Sequence, residues 1–453
     1  MALASPAADR PALRRELSRL DGIAVAINST VGGGIFRTPG WIAATLGSPA
    51  LILGAWATGG AVALLGALLT AELASRFPAA GGAYIYIREA FGRFWAFFSH
   101  WAYLLIAEAG STAALAVVVG EYGDGALQAE GRLVRPLAIG ALLFLGAVHA
   151  LGLKAGAWSQ DIVTAAKLLG LAAVVLIAFA LGSGASAAPP IATSSPGLLL
   201  GLAVAFQGIF YTYDGWADVG RIAGEVRDPR RNLPLIFAGG TLSCTVIYLA
   251  VNAAYLHVLS PAEMAGVPLV AAKVAERLIG AAGRALIVGL ALVSLLGVLQ
   301  STLFTLSRVA YAMGRDRLLP AIGSRVSAAG APLGGLALMV GLSIVFVLIG
   351  TFEKLVAMVS FTRFLVYGLL AAAAIKLRPS APQEAFRAPG FPWTPALFIL
   401  IAGAFVAATL WSSPWESAAG LALLALGWPL YRLFANSGNS GDTIRNSSKL
   451  PRC

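Results

Sequence analysis

The chain has 453 residues, 58% of them hydrophobic and only 12% charged, with a mean hydropathy of +0.81. Soluble globular chains carry about 25% charged residues, so the composition excludes a soluble domain and indicates an integral membrane protein of many helices. The net charge of +11 would suit a nucleic-acid partner, but its distribution along the chain, given below, excludes that reading.

In chain order, the first residues lack a signal peptide's apolar core and small-residue cleavage site, so 1–16 are expected to form a cytoplasmic tail. Apolar runs of spanning length follow at about 20–46, 50–75, 94–120, 133–153, 157–182, 197–222, 233–259, 283–313, 333–350, 354–377, 395–412 and 416–434, twelve in all. A twelve-helix domain over 17–435 is therefore expected. Residues 436–453, polar and Ser/Asn-rich, are expected to be a flexible cytoplasmic tail. Twelve spans put both termini on one side. If that side is inside, 23 of the 32 Lys and Arg residues fall in inside segments, Arg221 in the segment 221–231 among them, and 7 in outside loops, Arg37 among them. That asymmetry predicts both termini in the cytoplasm and accounts for the basic balance without nucleic acid. The membrane is expected to be a plasma membrane, of the bacterial inner-membrane kind. Two cysteines, Cys244 in an apolar run and Cys453 at the terminus, do not make a disulfide framework.

Span 1 contains Ile27-Asn28-Ser29-Thr30-Val31-Gly32-Gly33-Gly34-Ile35-Phe36. Each glycine costs a helix about 0.8–1.0 kcal/mol relative to alanine, and in lipid every freed backbone group needs a partner. A break here therefore lines a cavity or meets a ligand. Bare N–H groups at the start of the following half-helix suit a carboxylate; close packing through small residues is the alternative. Span 6 contains Gln207-Gly208-Ile209-Phe210-Tyr211-Thr212-Tyr213-Asp214-Gly215-Trp216, a second expected break. Spans 1 and 6 each open a set of five, and paired interrupted segments point to an inverted-repeat transporter. The expected fold is all-α, with a 5+5 inverted repeat, discontinuous helices 1 and 6, repeats at about 17–182 and 197–378, and two added helices at about 395–434.

Six motifs in order carry a family resemblance. Gly32-Gly33-Gly34-Ile35-Phe36 resembles G-S-G-I-F. Ala71-Glu72-Leu73, Phe77 to Tyr84 and Glu89-Ala90-Phe91-Gly92 resemble A-E-L…P-x-S-G-G-x-Y…E-A-F-G. Gln160-Asp161 with Thr164 to Leu169 resembles span 5. Tyr213-Asp214-Gly215-Trp216, Gly224-Glu225 and Asp228 to Pro234 resemble Y-x-G-W…E-E…N-P…N-x-P, and Leu303 to Arg308 resembles span 8. From about Leu17 to Leu433 the chain resembles the amino acid–polyamine–organocation (APC) superfamily, in its L-type amino acid transporter branch, which holds bacterial exchangers and the light chains of heteromeric transporters. The resemblance implies a LeuT-type fold and alternating access. The sequence departs from that pattern in three ways. The loop Tyr122 to Pro136 has no cysteine for a disulfide-linked heavy chain. Glu108 replaces an arginine of span 3. Arg363 stands in span 10 where many members have a neutral residue and a member carrying anionic substrates has arginine.

An amino acid offers a carboxylate and an ammonium. N–H groups near Gly33 and Gly34 are the expected carboxylate site, with Gly32 also expected to border the substrate, and freed carbonyls near Thr30, Tyr211, Thr212 and Asp214 the expected ammonium site, so that opposite half-helix ends read opposite charges. The resemblance puts the same contacts at these positions and makes Tyr211 the aromatic gate; plain core packing is the alternative for that tyrosine. Glu108, Lys167, Asp214 and Arg363 lie well inside spans, and each is costly there. Lys167 resembles the lysine that occupies a sodium ion's place in the superfamily and would bridge spans 1 and 8. Proton carriage, or snorkelling to the inner surface, is the alternative. Asp214 could hold a cationic substrate side chain and Arg363 an anionic one, or the two could pair and leave a pocket for neutral substrates; pairing is the usual fate of intramembrane charges. Glu108 is read as a proton carrier or a partner of Lys167. Glu108, Gln300 and Arg363 are the candidates for side-chain selectivity, whereas His100 and Glu72 read as structural.

The expected function is sodium-independent exchange of neutral L-amino acids. Proton symport and exchange of charged amino acids are the alternatives within the class, and a non-transporting sensor is the alternative outside it. No enzyme, cofactor or metal site is expected: the three histidines, His100, His149 and His257, are scattered and no nucleophile–base motif stands out. The expected partners are an amino acid and the bilayer, with neither nucleic acid nor a disulfide-linked heavy chain.

Overall fold

The computed structural model describes residues 15, 17–79, 82–150, 156–182, 198–315, 333–380 and 385–446; side chains at 156–164, 166, 301, 304–315 and 433–446 lie outside the description. Outside it, too, are the expected tail before residue 15, Ala80-Gly81, Lys154, and the side chains of the motifs at Gln160 to Thr164 and Phe304 to Arg308. Among the described residues the architecture is all-helical. Seven helices are long and apolar enough to cross a membrane, and three shorter apolar ones lie at Val134–Ala150, Lys167–Leu181 and Leu333–Ile349.

The first apolar run is two helices, α1 (Arg19–Thr30) and α2 (Gly34–Leu46). A reciprocal box starts α1: Ser18 Oγ accepts from Asp21 N at 3.3 Å and Ser18 N donates to Asp21 Oδ2 at 2.8 Å. Gly47, at φ 62°, ends α2 in the left-handed region that glycine adopts freely. α3 (Pro49–Arg76) returns across the bundle. Then come α4 (Ala83–Phe91) and α5 (Arg93–Ala102), which runs through a π-helical segment (Tyr103–Glu108) into α6 (Ala109–Leu127). α7 (Val134–Ala150) and α8 (Gly156–Leu181) follow.

The second broken run is α9 (Leu198–Tyr213) and a 3-10 segment (Trp216–Glu225), joined at Gly215 with φ 125°. α10 (Pro229–Val258), the short α11 (Pro261–Met264) and α12 (Val270–Arg315) come next. α12 leaves helical geometry at Ile279 and Gly280, the latter at φ 74°, so the connector expected before residue 283 holds helix of its own. α13 (Leu333–Ile349), α14 (Phe352–Leu377), α15 (Trp393–Ser412) and α16 (Pro414–Asn446) complete the chain.

Burial sorts these helices. The apolar windows of Arg93–Leu127 and Phe352–Ser380 are 83% and 78% buried, against 33% for Val270–Gln300 and Trp393–Ser412. α6 and α14 are therefore the axis, and the others present Phe144, Leu176, Leu199, Leu286 and Leu400 outward. Exposed apolar side chains of this kind are what a bilayer solvates. α2 packs on α9, α1 on α10, and α14 on α6 and α9, which brings both broken runs against the axis.

Candidate functional site: two interlocked helix breaks

The two breaks are built into each other. A Cβ on Gly34 would lie 2.6 Å from Thr212 Oγ1 and 2.9 Å from Thr212 Cα; one on Gly215 would lie 2.6 Å from Ser29 O and 2.8 Å from Thr30 Cα. The start of α2 thus rests on the end of α9, and the second break rests on the end of α1. At Gly34 and Gly215 the close-packing reading of the glycines holds. Gly32 differs: its Cβ would meet nothing nearer than Thr30 O at 3.9 Å. Among the described residues, the N–H groups of Gly33, Gly34 and Ile35 have no hydrogen-bond partner, as expected of a helix start.

On the other side of the crossing, the Tyr248 hydroxyl of α10 lies 2.7 Å from Thr30 O and 2.9 Å from Thr212 O and shares its one hydrogen between them. The carbonyls that end α1 and α9 therefore converge on one atom; Thr212 O keeps a second lone pair, whereas Thr30 O also accepts from Gly32 N at 2.8 Å. Sequence reasoning missed Tyr248, because a lone tyrosine in an apolar run carries no signal.

Lys167 is 1% exposed and donates to Asn28 O (3.4 Å), Asn28 Oδ1 (3.2 Å) and Val31 O. Snorkelling is overturned: burial against the end of α1 holds the ammonium in place. The bond expected to span 8 is not among those of the described residues. Lys167→Ala is expected to slow turnover about 10- to 100-fold, the range of a lost charged hydrogen bond of about 1.5–3 kcal/mol, while KM changes little. Concentration-dependent uptake measures both, and a rise in KM at unchanged turnover would put Lys167 in substrate binding instead.

Asp214, Arg363 and Glu108 meet. Arg363 Nη1 pairs with Asp214 Oδ2 and Nη2 lies 3.6 Å from Glu108 Oε2; Tyr367 donates to Asp214 Oδ1. The pairs continue through Arg221, whose Nη2 is 2.7 Å from Glu108 Oε1 and 3.0 Å from Asp218 Oδ1. The guanidinium groups of Arg363 and Arg221 each lie 5.7 Å from the Tyr103 ring centre. Glu108 is thus a partner of two arginines and not of Lys167, because the π-helical segment ending at Glu108 packs on α14 and receives Arg221 from the 3-10 segment. Arg221, counted in the sequence as a loop charge, lies within that 3-10 segment. With Asp218 at i−3, its pairing was open to sequence reading.

A second cluster lies farther along α2. Arg37 Nε is 2.6 Å from Glu121 Oε2 and Nη2 is 2.8 Å from Glu353 Oε1, with the guanidinium 5.1 Å from the Phe352 ring centre. Arg37 was counted as an outside-loop charge; it stands inside α2 and ties it to α6 and α14. Tyr211 meets Phe352 edge-on at 5.7 Å, so the expected gate tyrosine lies in the layer next to this cluster. Gln300 stands apart: its carbonyl oxygen is 3.0 Å from His149 Nε2, and no hydrogen bond of the described residues joins it to the breaks. Among the described residues, no group of three His, Cys, Asp or Glu side chains is placed to hold a metal ion.

A family model described as "Amino acid permease" matches residues 17–426. The chain is 28% identical over 429 residues to the serine/threonine exchanger SteT of Bacillus subtilis, covering 92% of this chain and 96% of that one. To the human cystine/glutamate transporter it is 30% identical over 441 residues, 95% of this chain and 87% of that one. To the mouse b(0,+)-type amino acid transporter 1 it is 29% identical over 435 residues, 93% and 88%.

Proposed function

The chain belongs to the amino acid permease family, and from that premise, which makes it a multi-pass membrane transporter of amino acids and not an enzyme, we propose sodium-independent exchange of neutral L-amino acids by alternating access. The observation that carries the proposal is the meeting of the two breaks. Bare N–H groups open α2, and the carbonyls of Thr30 and Thr212 converge within reach of Tyr248. A zwitterion is read by such a pair of half-helix ends, carboxylate toward Gly32 to Gly34 and ammonium toward Thr30 and Thr212, without a dedicated charged side chain. Exchange is what relatives such as the serine/threonine exchanger SteT support. Neutral substrates follow from Arg363, whose two terminal nitrogens face Asp214 and Glu108. Lys167 supplies the cation at the end of α1 that a sodium ion would otherwise supply.

The same reading takes the chain as a 5+5 inverted repeat with two added helices, twelve in all, both termini cytoplasmic and no disulfide-linked heavy chain.

Uptake of labelled serine or leucine into proteoliposomes tests it. Uptake is expected to require internal amino acid, to continue when choline replaces sodium, and to be inhibited by serine and leucine but not by glutamate or arginine. A sodium requirement, equal uptake into empty vesicles, or inhibition by glutamate alone would each defeat the corresponding part.

A further inference from the structure

Where α14 gives way to α15, at the end of the bundle that holds the start of α1, the surface carries a cleft of about 610 Å³ lined by Arg378, Arg387, Ala388, Gly390 and Phe391 among others. Among the described residues its charge is unbalanced. Arg378 Nη1 lies 3.1 Å from Glu72 Oε2, and Arg76 Nη1 lies 3.7 Å from Glu72 Oε1, so two arginines share one buried carboxylate. Arg76 Nη1 is buried without a hydrogen-bond partner among the described residues. Arg387 is exposed and takes part in no hydrogen bond or ion pair of the described residues. Lys376, one residue before α14 ends, lies 5.0 Å over the Phe91 ring. Among the described residues, Arg378 and Arg76 thus share one carboxylate, and the cleft's own two cations, Arg378 and Arg387, border open space.

The depth of the cleft is fixed by aromatics. Phe391 is 39% exposed and stacks on the Arg378 guanidinium at 4.2 Å; Trp393, 78% exposed, begins the 20-residue span α15. An exposed tryptophan at the first residue of a span marks the headgroup level of a bilayer. From there Trp393, Leu397 and Leu400, at i, i+4 and i+7, run along one face of α15, and all three are exposed. A basic cleft at headgroup depth therefore continues into an apolar stripe that descends toward the membrane centre.

We propose that this cleft binds the phosphate of an anionic phospholipid, with Arg387 and Arg378 on the headgroup, Phe391 beside it and the acyl chains along Leu397 and Leu400. The continuity of cleft and stripe selects an amphipathic anion over a free one, and juxtamembrane arginines attract anionic lipid in general. The proposal is independent of which amino acid is carried.

Purified protein in phosphatidylcholine nanodiscs, with and without added phosphatidylglycerol, tests it by thermal unfolding. A ligand that binds only the folded state raises the melting temperature. The expected gain with phosphatidylglycerol is about 2–4 °C. Arg387→Gln should melt normally in phosphatidylcholine, because the side chain is exposed and has no partner among the described residues, and should lose most of the gain; Arg387→Lys should retain part of it. Phe391→Leu serves as a second probe on the ring side of the cleft and should reduce the gain. An equal gain in wild type and Arg387→Gln, or no gain at all, would overturn the site. An equal gain from inorganic phosphate in phosphatidylcholine alone would make it a free-anion site and overturn the lipid assignment.

Discussion

Gly34→Val should abolish transport and lower stability by roughly 3 kcal/mol, the upper part of the usual cost of overpacking. The first added carbon would fall 2.6 Å from Thr212 Oγ1 and 2.9 Å from Thr212 Cα. A side chain can rotate away from such a clash, but the Cα atom is held by its own helix. Gly33 is a milder case, since a Cβ there would strike the ends of Leu115 and Leu295 at 2.5 Å, and leucine ends can move. Gly32→Ala is the informative contrast. With Thr30 O at 3.9 Å as its nearest neighbour, the methyl group fits the space beside Gly32, so melting should stay near wild type while the substrate KM rises. Melting temperature and uptake, measured together on the three proteins, check this. A stable, active Gly34→Val protein would remove the close approach of the two breaks, and an unchanged KM in Gly32→Ala would remove Gly32 from the binding surface.

The second large effect is expected at Arg363, and the charge network gives it a direction. Removing one member of a buried ion pair costs about 3–5 kcal/mol, because the other charge stays buried and uncompensated. Arg363→Gln strips a partner from both Asp214 and Glu108. Asp214→Asn is the lesser insult, since Arg363 keeps Glu108 at 3.6 Å. Arg363→Gln should therefore lose more neutral amino acid transport than Asp214→Asn, by about tenfold for each 1.4 kcal/mol of difference. The double substitution should recover part of the loss, because it leaves Glu108 with Arg221 at 2.7 Å and no orphaned charge. Uptake by the four proteins, normalised to folded protein, tests the order. Strictly additive losses, or a worse outcome for Asp214→Asn, would show that the pair does not act as a unit. Loss of glutamate transport alone in Arg363→Gln would make Arg363 a reader of an anionic substrate.

The breaks themselves were legible in the sequence because they violate a strong rule: three consecutive glycines, and an Asp-Gly pair among aromatics, have no business in a plain spanning helix. The buried charges were legible for a similar reason, as was the pairing of Asp214 with Arg363 among its alternatives. What the sequence could not reveal is which distant residue each one meets. Glu108 was weighed as a partner for Lys167, but a π-helical turn at Tyr103–Glu108 sets the direction in which it points, and no periodicity announces a π-turn. Arg37 and Arg221 were misread as loop charges because hydropathy locates an apolar run but not where within it a helix starts or changes pitch. Tyr248 was silent because its function lies in two carbonyls that belong to other helices.

The N-terminal strand-like contact has a consequence for how the transporter opens. Leu17 N donates to Glu225 O at 3.0 Å and Arg227 N donates to Leu17 O at 2.9 Å, which staples the beginning of α1 to the end of the 3-10 segment. At their other ends the same two pieces touch where Gly215 meets Ser29 and Thr30. Two short rods joined at both ends behave as a single flap. Swinging it away from the bundle is then one motion rather than two, with α1 and the 3-10 segment leaving together. The half-helix that ends at Thr30 cannot depart while the half-helix beyond Asp214 stays. In mechanical terms this door has one degree of freedom, and the ion pair of Arg221 with Glu108 is its bolt.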